Sequence, residues 1–171
     1  GSERISDEDG RLPIHFACMN NSVVTVEYLY KLYPDAINHA TTRGVYPIHA
    51  SIIGVVKQRV HPIAAVEVVK YLLDCDPNVK LQKIRGAESL LLWACHREYD
   101  DSTIEAALEM IKAIYDAHPE AIGASTIQIF HQQVQTFINS QLVYARKAKN
   151  RHVMTTPDGN GQLPLHTALQ N

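Results

Sequence analysis

Apolar runs are short in this chain. None approaches the ~20 residues that cross a bilayer as a helix, so no membrane span is expected. No basic start followed by an apolar stretch stands at the N-terminus, so no secretory leader is expected. Cysteine is scarce: Cys18, Cys75 and Cys95 are an odd number, widely spaced, with no C-x-x-C pair. That spacing offers neither a disulfide framework nor a cysteine zinc site. It favours a reduced, intracellular setting, with the cytoplasm as the expected location. Excess charge is also missing: 16 basic residues face 18 acidic ones, for a net charge of −2. A nucleic-acid-binding domain is usually strongly basic, so nucleic acid is not the expected partner. The nucleophile elbow G-x-S-x-G, the phosphate loop and the dinucleotide fingerprint do not occur. Asp7-Glu8-Asp9 and Asp100-Asp101 are acidic, but no base accompanies them, and solvated loop charge explains both. The chain is therefore not expected to be an enzyme or to carry a cofactor.

What is present is a repeat. Gly10–His15 reads G-R-L-P-I-H, Gly44–His49 reads G-V-Y-P-I-H and Gly161–His166 reads G-Q-L-P-L-H. The first two copies begin 34 residues apart. Recurrence near that period is the mark of a stacked repeat architecture. In each copy the glycine marks a tight turn. Pro13, Pro47 and Pro164 stand where a helix begins, because the first helical residue has no use for its N–H.

Helical periodicity fills in the rest. A short helix is expected over Pro13–Met19 and a longer one over Val23–Tyr33, stopped by Pro34. The second unit repeats this with Pro47–Ile53 and Ala65–Leu73. His15 to Pro34 spans 19 residues and His49 to Pro77 spans 28, so the second unit carries nine more, placed in Gly54–Pro62. That stretch either forms a second contact edge or extends a helix. The third unit is eroded. Aligning Ala94-Cys95 with Ala17-Cys18 puts Leu90 at the proline position and Trp93 at that of Phe16, so Trp93 is expected in the core. Its long helix is expected over Thr103–Ala117, after a long connection near Arg97–Ser102. Ile127, Phe130, Val134, Phe137, Ile138 and Leu142 then predict a further helix, Ile127–Lys149, with a basic end at Arg146, Lys147, Lys149 and Arg151. Such an end is what the helix dipole favours; a phosphate or nucleic-acid contact is the lesser reading. The chain opens on Gly1-Ser2 and closes a few residues into the last copy, so a piece of a longer protein is expected.

These residues resemble the ankyrin repeat. Glu67-Val68-Val69-Lys70-Tyr71-Leu72-Leu73 matches that family's second-helix pattern E-V-V-K-x-L-L, and Pro47-Ile48-His49 matches its helix start. The likeness covers 9–122 and 158–171 well and 123–157 poorly. It implies an all-α fold: an ankyrin-type helical solenoid of stacked helix-turn-helix repeats, with inserted loops and one extra long helix. The repeats would be about 9–42, 43–84 and 85–122, with an inserted helix at 124–150 and a partial repeat at 158–171, in one domain over 1–171. Gly10, Pro13, His15, Gly44, Pro47, His49, Gly161, Pro164 and His166 are its structural motif residues. One departure stands out. The threonine that precedes the proline in the family is replaced by Leu12, Tyr46 and Leu163. The hydroxyl that would bond the histidine is then gone and the helix start lacks a side-chain cap, at ~1 kcal/mol per site at most.

The histidines do not suggest a metal. Zinc needs ligands ~2 Å from one ion, and side chains spaced by whole repeats cannot supply that. Each imidazole is expected to bond backbone groups of its own or the adjacent finger. The resemblance implies instead a scaffold that binds another protein on the concave surface of fingers and short helices. Arg11, Arg43, Tyr46 and Lys83, near finger tips, are the candidate anchors, since arginine and tyrosine dominate binding hot spots. The alternative is a regulatory segment of an enzyme or channel whose catalytic or membrane part lies elsewhere. Self-association through the apolar face of the terminal repeat is a further expectation.

Overall fold

A computed structural model describes residues 1–20, 22–86, 88–122, 129 and 131–155, without the side chains of 145 and 151–155. It is mostly helical, with seven α-helices and one short hairpin among the described residues. Contacts divide the chain into two compact units, Gly1–His131 and Gln132–Asn171.

The first unit is built from helix pairs. α1 (Pro13–Asn20) and α2 (Val23–Leu32) form the first, α3 (Pro47–Val56) and α4 (Pro62–Cys75) the second, α5 (Leu90–Cys95) and α6 (Ile104–Ala117) the third. Within each pair the two helices touch; between pairs, α1 meets α3, α2 meets α4 and α4 meets α6. The long helices therefore pack on one another through all three pairs, and the short helix α1 packs on the short helix α3. A 3-10 turn follows each long helix, at Pro34–Asn38, Val79–Leu81 and Pro119–Ile122. Proline opens the first and the third because it ends the preceding helix and fits the tighter turn.

Burial follows position in the stack. α3 has its neighbours on both sides and buries eight of its ten residues, among them Ile48, Ile52 and Val55. Its sequence PIHASIIGVV is apolar all round, as a helix enclosed on every side must be. α1 buries only Ile14, His15, Ala17 and Cys18. Trp93, expected in the core, is 5% exposed, whereas Phe16 at the matching position is 42% exposed. The reason is geometric. Trp93 stands edge-on to His49 of the preceding pair at 5.0 Å, whereas no described helix pair packs against α1 on the side of Phe16.

Helix ends differ from expectation in two informative places. α3 runs through Gly54 to Val56, so part of the nine-residue insertion extends a helix, and Val55 belongs to the core. α4 begins at Pro62, three residues early, again with proline in the first turn. The fold also contains a strand pair: β1 (Lys83–Ile84) runs antiparallel to β2 (Glu88–Ser89), making the third finger a minimal hairpin.

Two glycines set how close neighbouring elements come. Gly44 has φ +71°, and a Cβ there would lie 2.8 Å from the backbone N and Cα of Arg85. Gly54 sits in the middle of α3, where a Cβ would lie 2.3 Å from the carbonyl oxygen of Met19 on α1.

The second unit contributes α7 (Gln132–Thr155). The helix expected over 124–150 thus runs five residues further at its C-terminal end, since no glycine or proline interrupts 151–155 and Pro157 is the first breaker. It also begins later than expected, at Gln132, since 129 and 131 are not helical; 124–128 and 130 lie outside the described residues. So does the terminal repeat at 158–171, with Gly161, Pro164 and His166.

Alanine in place of a mid-helix glycine normally stabilises by ~0.5–1 kcal/mol. Gly54→Ala is expected to do the reverse, costing ~1–3 kcal/mol through overpacking against Met19. Urea unfolding checks the sign.

Candidate docking groove

The fingers are held to one another by a backbone ladder. Thr42 N–H donates to the carbonyl of Asp9 at 2.9 Å, and Arg85 N–H to that of Gly44 at 3.3 Å. Side chains at the finger bases reinforce it. His39 Nε2 donates to the Gly10 carbonyl at 3.0 Å, and Gln82 Nε2 to the Ile37 carbonyl at 3.0 Å. His39 and Gln82 each directly follow the 3-10 turn of their unit, so different residue types do one job.

The repeated histidines hold the helix starts. His15 Nδ1 accepts from Leu12 N–H at 3.0 Å, and its Nε2 donates to the His39 carbonyl at 3.1 Å. One ring thereby ties its own helix start to its finger, and the two bonds fix a neutral tautomer. His49 Nδ1 accepts from Tyr46 N–H at 3.3 Å. The helix starts expected to lack a side-chain cap therefore carry half of a capping box, supplied by the histidine three residues on. Leu12, 2% exposed, fills the core instead of capping. In the third unit the roles reverse: Leu92 replaces the histidine, and Ser89 Oγ accepts from Leu92 N–H at 3.3 Å.

His49 differs from His15 in one respect. Its Nε2 is buried and has no hydrogen-bond partner among the described residues. Desolvation lowers its pKa to about 4. Burial also lowers that of His15, opposed by its bond to the His39 carbonyl. Neither ring adds positive charge at neutral pH.

Between the first two fingers and α1 and α3 lies a groove of about 280 Å³. Arg11 and Arg43, two of the anchors expected from the sequence, line it. The other two do not: Tyr46 and Lys83 line a separate depression between the second and third fingers, with Gly44 and Arg85. Lys57 and Arg59, from the inserted stretch after Gly54, join Arg11 and Arg43 in the groove. Its apolar lining includes Phe16, Met19 and Ile53. Arg11 is compensated, with Nη2 2.5 Å from Asp9 Oδ2 and Nη1 3.7 Å from Asp7 Oδ2. Arg59 reaches the Met19 sulfur at 3.4 Å.

The remaining chemical candidates have structural roles. Asp7 Oδ1 accepts from the backbone of Asp9 and Arg11, closing the first finger. Asp100 and Thr103 cap one another at the head of α6: Asp100 Oδ1 accepts from Thr103 N–H, and Thr103 Oγ1 from Asp100 N–H. The Ser102 hydroxyl, ahead of smaller contributions, lowers the Asp100 pKa. All three cysteines are free thiols. Burial pushes Cys18 and Cys95 up to about 12. No cluster of three or more potential metal ligands occurs among the described residues. No described helix is long and apolar enough to cross a membrane. On α7, Arg146, Lys147 and Lys149 are exposed.

No protein-family model, curated protein or solved structure matches this chain.

The buried histidine gives the fold a pH dependence. As pH falls, the unfolded His49 takes a proton near 6.5, while the folded one stays neutral until about 4. The unfolded state then binds more protons, so stability falls on acidification, by about 2 kcal/mol between pH 7 and 5 for this group alone. His49→Gln keeps an acceptor for Tyr46 N–H and removes the titration. Urea unfolding across that range should show a shallower pH slope for the variant.

Proposed function

We propose that the chain is an ankyrin-type stack of helix pairs that binds a partner protein on its finger and short-helix side and performs no catalysis of its own. The carrying observation is the groove itself: side chains from two successive units, Arg11 and Phe16 from the first and Arg43 and Ile53 from the second, line one recess. A surface assembled across units exists only in the stack, which is the economy of repeat scaffolds. The repeated histidine bonds at Leu12 and Tyr46 support the same reading, because equivalent positions make equivalent contacts. Half-buried Tyr46, beside the adjoining depression, extends the surface toward the third finger. The reading also places the protein in the cytoplasm, where free thiols persist.

A photo-crosslinking residue tests it. Placed at Tyr46, it should trap a discrete protein in cells. Placed at Tyr28, exposed on α2, it should trap none. Adducts from position 28 alone would contradict docking on the finger side.

A further inference from the structure

The groove has a charge that the chain as a whole does not. Four cations, Arg11, Arg43, Lys57 and Arg59, share it with one carboxylate, Asp9. The chain's net charge is −2. Asp9 and Asp7 are spent on Arg11. Arg43 and Lys57 are exposed, and their side chains have no carboxylate partner among the described residues. His15 on the groove wall is held neutral by burial, which outweighs the opposing effect of its bond to the His39 carbonyl. Net positive charge over an apolar floor is thus left uncompensated by the fold.

The cations also have an order. Arg43 precedes the start of α3 at Pro47, and Lys57 is its C-cap residue. A ten-residue helix is about 15 Å long. Four or five residues of extended chain cover that distance at ~3.3 Å each. Phe16, Met19 and Ile53 supply apolar contact within the groove.

We infer that the occupant of this groove is an extended acidic peptide segment: carboxylates about four or five residues apart, one toward Arg43 and one toward Lys57 and Arg59, with apolar side chains between them on Phe16 and Met19. This rests on the docking reading above and names the partner's chemistry. The groove's small volume and its single exposed aromatic ring suit side chains better than stacked nucleobases, which need successive aromatic platforms.

Fluorescence anisotropy on the full chain tests the inference. The probe is a fluorescein-labelled peptide with acidic pairs flanking a Leu-Phe centre. Comparators are the same peptide with a Ser-Ser centre, the same peptide with lysine flanks, and an oligothymidylate of equal charge. The acidic, apolar-centred peptide should bind tightest, and binding should weaken as salt shortens the screening length from ~10 Å at 0.1 M toward ~3 Å at 1 M. The double variant Arg43→Glu, Lys57→Glu should weaken it about tenfold or more. Lys112→Glu, on the exposed side of α6, should leave it unchanged, with thermal melts showing both variants folded. Equal or tighter binding of oligothymidylate, indifference to the double variant, or no binding of the acidic peptide would each overturn the inference. If the peptide fails while Tyr46 still traps a protein, the acidic chemistry falls and the docking face stands. If both fail, the functional reading falls with it.

Discussion

The first unit depends on consecutive helix pairs covering each other's apolar faces. α3 makes the point most directly. It is apolar on all sides and buries eight of its ten residues. No single pair encloses such a helix: α1 and α4 pack along it, and Trp93 of α5 stands against its His49. Isolated segments of this length cannot offset their conformational entropy with the area one pair buries. Each pair is therefore stable because of its neighbours. The absent side chain of Gly54 lets α1 approach closely enough for this, and Gly44 does the same for the fingers.

Polar groups follow from that apolar constraint. Close stacking buries the helix starts, where N–H groups have no intrahelical acceptor. His15 satisfies one with Nδ1 and reaches its own finger with Nε2. His49 satisfies one, and its Nε2 has no hydrogen-bond partner among the described residues. Burial forces both rings to remain neutral, which makes the fold sensitive to acid. The same geometry decides where charge can appear. With the histidines silent, the groove's field comes from Arg11, Arg43, Lys57 and Arg59.

Much of this was legible in the amino-acid order. Pro13 and Pro47 mark helix starts because proline fits only the first turn, and both helices begin there. Helix ends were harder. Gly54 reads as a breaker, yet α3 continues through it, since what matters is the missing Cβ facing Met19 rather than the local propensity. Phe16 and Trp93 share a repeat position but differ in exposure, because burial depends on which layer stands next to them. Repeat alignment carries no such information. Lys57 and Arg59 escaped notice as groove residues for a related reason. Their stretch reads as an insertion between two helices, but the recess beside α3 takes residues from both its ends. The cue available was the pairing of two cations around Gln58 directly after an apolar helix.

Native-state hydrogen exchange measures the central claim most directly. If neighbouring pairs stabilise one another, amides of α3 and α4, covered on both sides, exchange most slowly, and those of α1 and α2, covered on one side, open at lower free energy. Equal protection of α1 and α3 would fit one cooperative block rather than layers. Faster exchange in α3 than in α1 would contradict mutual burial as the source of this fold's stability.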